Sequence, residues 1–144
     1  VEGQSIKGGI EVDEMVGSGS FHSLAAPGAL GTTAGGLRMQ GHGKIDYAWI
    51  NDLGSASAPA NIARYEFNGK SLLKQASFEY SGSNGAIAVD PSGKNTTDVY
   101  AVNNVAQGSQ YSVSVVEYAF PSGKVVSQSP AQNASQPSIG VWVR

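Results

Sequence analysis

The sequence predicts an all-β fold built on a repeated unit of about four strands, and three observations predict it. From residue 36 onward, short apolar runs are separated by Gly, Asn, Ser and Pro almost throughout, the punctuation of strands and turns. Charged residues make up only 14% of the 144, so the Glu-, Lys-, Arg- and Leu-rich composition of a long-helix protein is missing. Tyr47, Ala48, Asn51, Tyr65 and Phe67 return about 53 residues later as Tyr100, Ala101, Asn104, Tyr118 and Phe120, and Ile62 returns as Val115. A chain of this length fits one domain and buries roughly two-thirds of its unfolded surface without covalent staples.

Residues 1–35 read as an irregular N-terminal arm. Within it, 9–16 fits either a strand with Ile10 and Val12 on one side or a single helical turn, while 17–20 and 25–36 read as loop. Such an arm can add a strand to a neighbouring subunit's sheet. The β-repeat domain spans 36–143, with copies at about 36–84 and 85–135 and a closing strand at 139–143. The first copy opens with Gly36 to Gln40, and the second with Gly85 to Val89. Asn68-Gly69 and Asn84-Gly85 are hairpin dipeptides, and Pro91-Ser92-Gly93 and Pro121-Ser122-Gly123 are further turns. Alternation from Ser112 to Phe120 puts Val113, Val115, Tyr118 and Phe120 toward a core around a bulge near Val116. Each copy continues into an apolar pair, Leu72-Leu73 or Val125-Val126.

A period near 50 holding about four strands has the dimensions of one propeller blade. The run GAIAVDPSGKNTTDVYAVNN followed by SVSVVEYAFPSGKVVSQ resembles a blade of the secreted lactonase-like, NHL-type or streptogramin-lyase-type β-propellers, with the resemblance covering residues 36–143. It implies blades around a channel, where His, Arg and acidic side chains from several blades carry the chemistry of the lactonase-like members. Two blades do not close a ring. Either other copies complete it, or the repeat belongs to a longer propeller, or the two units fold as a β-sandwich. Incomplete units leave sheet edges open to a partner.

Net charge of -2 with no basic run removes the footprint of a nucleic-acid binder. No stretch approaches 18 apolar residues, so no helical membrane insertion is expected. Absence of cysteine removes disulfides, thiolate catalysis and Cys-ligated metals. The start at Val1 fits a mature secreted form or a trimmed chain. Asn95-Thr96-Thr97 and Asn133-Ala134-Ser135 match the N-glycosylation triplet, in keeping with a secreted or cell-surface protein.

Candidate chemistry is sparse. Ser20, His22 and Asp13 are the residue types of a triad, but no serine sits in a G-x-S-x-G elbow. Glu11, Asp13 and Glu14 are adjacent, and alternation sends them to different faces. Asp46, Asp52, Asp90 and Asp98 are candidates for paired acids only by their presence. Arg38, Arg64 and Arg144, with His22 and His42, match no family motif position, so no catalytic residue, metal or cofactor is expected. Binding has better support: Tyr47, Trp49 and Asn51, with Tyr100 and Asn104, offer rings and amides at equivalent places in both copies, suited to glycans or other neutral hydroxyl-rich ligands. The same residue types also serve as packing and turn residues. The sequence thus points to a non-catalytic secreted structural, adhesive or surface-assembly subunit, forming a homo-oligomer or fibre. The alternatives are a lactonase-like propeller enzyme fragment or subunit, and a carbohydrate-binding module.

Overall fold

The computed structural model describes residues 2–4, 10–16, 20–25, 34–42, 44–52, 59–69, 72–80, 86–138 and 140–141, with side chains from Leu37 onward. The described chain is all-β, and no helix in it is long and apolar enough to cross a membrane. The stretch expected to be an irregular arm carries three strands, β1 (Glu2–Gln4), β2 (Ile10–Val16) and β3 (Ser20–Ala25), paired antiparallel in that order. Ile10 and Val12 lie in β2, so of the two readings of 9–16 the strand holds.

The repeat forms two antiparallel sheets. The first runs β4 (Ala34–His42), β5 (Ile45–Asp52), β6 (Asn61–Phe67) and β7 (Leu72–Glu79), each strand beside its sequence neighbour. The second repeats that meander as β8 (Ile87–Ala88), β9 (Asp98–Gln107), β10 (Gln110–Ala119) and β11 (Lys124–Gln128). A fifth short strand, β12 (Gln132–Ala134), prolongs the outer edge along β10. The Asn68-Gly69, Pro91-Ser92-Gly93 and Pro121-Ser122-Gly123 turns fall where expected, and Gly108-Ser109 makes a further tight hairpin between β9 and β10. Asn84-Gly85 and most of the closing strand 139–143, including Trp142, lie outside the described residues.

The two sheets stack over one core. The first sheet contributes Trp49, Ile62 and Phe78, and the second Ile87, Val99, Ala101, Val116, Tyr118 and Phe120, with Tyr80 and Val89 from the adjoining segments. The aromatic contacts across it are close, with Trp49 edge-on to Phe120 at 5.0 Å between centroids and Phe78 against Tyr118 at 5.5 Å. On the opposite face of the first sheet Ala48, Ile50, Ala63, Tyr65 and Leu72 form a second buried cluster.

Repeat-equivalent residues face the same direction along the stack. Tyr47 packs into the seam between the sheets, whereas its counterpart Tyr100 alternates with the seam residues Val99 and Ala101 and turns away. Conversely Ala48 and Tyr65 lie on the far side of the first sheet, and Ala101 and Tyr118 lie in the seam. A sandwich of two units related by a two-fold would turn both members of each pair inward. Here each sheet shows one face backward and the other forward, a head-to-tail stack. Pairing slips by two positions between copies, Tyr47 standing opposite Glu66 and Tyr100 opposite Glu117; two is the side-chain period of a strand, so the faces are preserved.

The third strand departs from the sequence expectation. Register along β9 and β10 is unbroken, so Ser114, Val116 and Tyr118 share the buried seam face with Phe120 following, and Val113 and Val115 are half-buried on the opposite one. The bulge lies one residue beyond the expected place, between Glu117 and Tyr118, and only in the pairing with β11. Because the extra residue belongs to β11, it leaves the alternation of β10 intact. The first sheet has its bulge in the equivalent place, between Arg64 and Tyr65.

Candidate functional site

Several polar side chains bridge the two sheets where they meet. Gln40, near the end of β4, is buried, and its amide is fully used. Nε2 donates to the carbonyls of Asp90 at 2.8 Å and Asn95 at 2.7 Å, and Oε1 accepts the Trp49 indole N–H at 3.0 Å. One side chain thus ties the first strand of the first sheet to the 90–98 loop of the second. His42 makes a parallel tie through Nδ1 and the Gly93 carbonyl at 2.8 Å.

Arg64 on β6 enters the seam between aromatic rings, its guanidinium carbon 4.5 Å from the centre of Tyr47, 5.2 Å from Trp49 and 4.2 Å from Phe120. Arginine suits such a place because its flat, weakly hydrated cation stacks on rings and still donates at its edges. Nη1 donates to the Thr96 carbonyl, and Nε to Gln75 Oε1 at 2.7 Å, while Gln75 donates onward to Glu66 at 2.6 Å. Burial lowers the Arg64 pKa, opposed by Tyr47 and Glu66.

The 90–98 loop owes its shape to Asp90. Its carboxylate accepts the Ser92 backbone N–H and hydroxyl and the Asn95 N–H. These bonds, the one from Asn95 foremost, hold its pKa below the ordinary carboxylate value. The linkage sign follows. With the folded pKa depressed, the contribution of Asp90 is complete above the unfolded Asp value and is lost as pH falls through the folded one. Acid unfolding followed by circular dichroism is expected to show this: Asp90→Asn lowers stability at neutral pH, and the gap to the parent chain narrows as pH falls below the carboxylate range.

Burial and bonding decide how the expected binding residues stand. Trp49 and Asn51 are both 0% exposed, so neither offers a ring or an amide to a ligand at the surface. Asn51 Oδ1 accepts the Tyr80 hydroxyl at 2.6 Å, and its Nδ2 has no hydrogen-bond partner. Tyr47 is half-buried between Arg64 and His42. Asn104 is buried and bonds Ser138 twice, Nδ2 to the carbonyl and Oδ1 from the N–H, each at 2.9 Å. Its amide mimics a peptide group and ties Ser138 to the second sheet. Of the expected set, only Tyr100 stands half-exposed outside the seam. Its hydroxyl donates to Glu117 Oε1 at 3.1 Å, and Ser127 donates to Glu117 Oε2 at 2.6 Å, a polar ladder across β9, β10 and β11. Burial, then the Glu117 bond, raises the Tyr100 pKa. Burial also raises Tyr65, Tyr80 and Tyr118.

Of the two glycosylation triplets, Asn133 is exposed on β12. Asn95 Nδ2 donates to Asp98 at 2.6 Å and its Oδ1 accepts from Thr97, so the atom that would carry a glycan already holds the loop. Of the four aspartates considered as paired acids, Asp52 lies beside Asn61, Asp46 is exposed on β5, and Asp90 and Asp98 flank the loop, each bonded to Asn95. Among the described residues no three His, Asp or Glu side chains converge as metal ligands. Backbone pairing sets Glu14 opposite His22, Asp13 opposite Ser23 and Ser20 opposite Val16; the side chains of these residues, and of Glu11, lie outside the described part. Sequence reasoning missed Gln40, Glu117 and the seating of Arg64. The signal available was the repeat itself, which sets Arg64 and Glu117 in equivalent positions. Comparison of the chain with protein-family models, curated proteins and solved structures finds no match in any of the three.

Proposed function

We propose that the chain is a non-catalytic extracellular β-repeat element, acting as a structural or surface-assembly subunit through the stacking of its sheet faces. The carrying observation is the head-to-tail disposition of the repeat: the face of the second sheet equivalent to the covered face of the first is half-buried at Tyr100, Val113, Val115 and Glu117 and buried at Val102 and Asn104. Adjacent blades of a propeller meet in this way, and blade-like stacking is the arrangement we propose for the two sheets. The polar side chains of the seam support a structural role, since Gln40, His42 and Arg64 are engaged with backbone carbonyls and aromatic rings.

Light scattering on a sizing column tests the reading. The expected result is a mass above the 14.8 kDa of one chain that rises with concentration. A second reading, carbohydrate binding, is favoured by the Tyr100–Glu117–Ser127 ladder, because a ring beside an oriented carboxylate and hydroxyl suits a sugar. A monomer at all concentrations that binds on a glycan array would replace the first reading with the second.

A further inference from the structure

We infer that the chain carries an N-linked glycan on Asn133 and none on Asn95, and that the sugar on Asn133 lies across β10 toward Val105. The inference rests on the extracellular reading and names a modification of that protein. Both asparagines head the required triplet, so the sequence alone does not choose between them. The fold does. Asn133 lies in β12, which three residue pairs hold to β10, and Ser135 follows at a bend; both residues are exposed. The Asn133 amide makes no hydrogen bond among the described residues. Asn95 is half-buried, its Nδ2 committed to the Asp98 carboxylate at 2.6 Å and its carbonyl to Gln40 at 2.7 Å. Sugar transfer there competes with closure of the 90–98 loop.

The co-reactant is a polyprenyl-pyrophosphate oligosaccharide. Nδ2 of Asn133 attacks the anomeric carbon of its first N-acetylglucosamine. The C–N bond forms as the bond from that carbon to the pyrophosphate oxygen breaks, the lipid pyrophosphate leaves with the electron pair, and the amide proton passes to a base of the transferase. The surface beside Asn133 suits what is attached. Val105, Ser112 and Asn133 stand in one row across β9, β10 and β12, and side chains paired in this way share a face. Val105 is 48% exposed and Ser112 half-buried, so the row is open, whereas Val116 on the same face is buried in the seam. From Asn133 to Val105 is two strand spacings, about 10 Å, comparable to the length of two linked N-acetylglucosamine units. The C–H face of a pyranose covers the valine, and its polar groups reach the Ser112 hydroxyl. The glycan also stands over the free edge of β12, which pairs with β10 alone, and blocks addition of another strand there.

The full chain, expressed behind a signal sequence in cultured eukaryotic cells, gives the test. Intact mass before and after treatment with peptide N-glycosidase is expected to show one glycan per chain. Peptide mapping is expected to place the aspartate left by its release at position 133 and not at 95. Ser135→Ala is expected to abolish the glycan, and Thr97→Ala to leave it unchanged. Release by the glycosidase from the folded chain is expected to run several-fold faster in Val105→Ser than in the parent; equal rates overturn the packing on Val105. A secreted chain that is bare at 133, or as fully occupied at 95, overturns the site and leaves the extracellular reading standing. A chain glycosylated at 133 but retained in the cell upholds the site and overturns that reading, and a retained, bare chain overturns both.

Discussion

Gly93→Ala is expected to cost about 4 kcal/mol of stability, combining backbone strain with overpacking, read as a fall of roughly 10 °C or more in the midpoint of a thermal melt. Gly93 has φ of +67°, where a side chain is disfavoured, and a Cβ there would overlap the carbonyl oxygen and carbon of Gly41. Both obstacles are backbone atoms of β4, which cannot rotate aside as a side chain would. The loop must lift, and with it go the Gly93 bond to His42 and the Asp90 and Asn95 bonds to Gln40. Gly69→Ala separates the contributions. Gly69 also has positive φ, +85°, but no atom lies within 4 Å of its would-be Cβ. It is expected to lose only about 1 kcal/mol, the strain alone. Equal losses at the two positions would show that contact with β4 does not hold the loop.

Trp49→Ala is expected to cost about 4 kcal/mol in urea denaturation, as large-to-small replacements of a fully buried aromatic do. It removes the edge-on contact with Phe120 and one wall of the Arg64 cage. Trp49→Phe keeps most of the volume but leaves Gln40 Oε1 without its indole donor in a buried place, at about 2 kcal/mol. The pair distinguishes packing from recognition. A tryptophan held for a ligand would lose binding with little loss of stability, whereas one that keys two sheets together loses stability in the order Ala more than Phe.

The fold class was legible because strand alternation and turn chemistry are local. Asn68-Gly69 and Pro121-Ser122-Gly123 mark their turns whatever the rest of the chain does, and the identities near 53-residue spacing anticipated two like sheets. What lay beyond reach was set by contacts across sequence. Val113 and Val115 looked like core residues because a bulge was assigned to their own strand, but the extra residue sits on the neighbour. Trp49 and Asn51 looked available for a ligand because nothing local reports that Phe120 and Tyr80 fold onto them. Gln40 carries no motif at all, and its importance comes from two carbonyls about 50 residues away. The N-terminal strands were obscured by glycine-rich intervals that resemble loop.

The bulge common to both sheets bears on how the protein avoids growing from its rims. In β7 the extra residue is Gln75, passed over between Lys74 and Ala76 in the pairing with β6. In β11 it is Val126, passed over between Val125 and Ser127. Each of these is an edge strand of its sheet, the place where an unpaired ladder invites another chain. An inserted residue breaks the even spacing of outward N–H and C=O groups and steepens the local twist, so an incoming strand cannot bond along the whole length. Leu73, Val125 and Val126 are all at least half-exposed beside these kinks. Apolar rims that would otherwise template cross-β fibrils are thereby kept short and uneven, and the chain carries this safeguard once in each copy of its repeat.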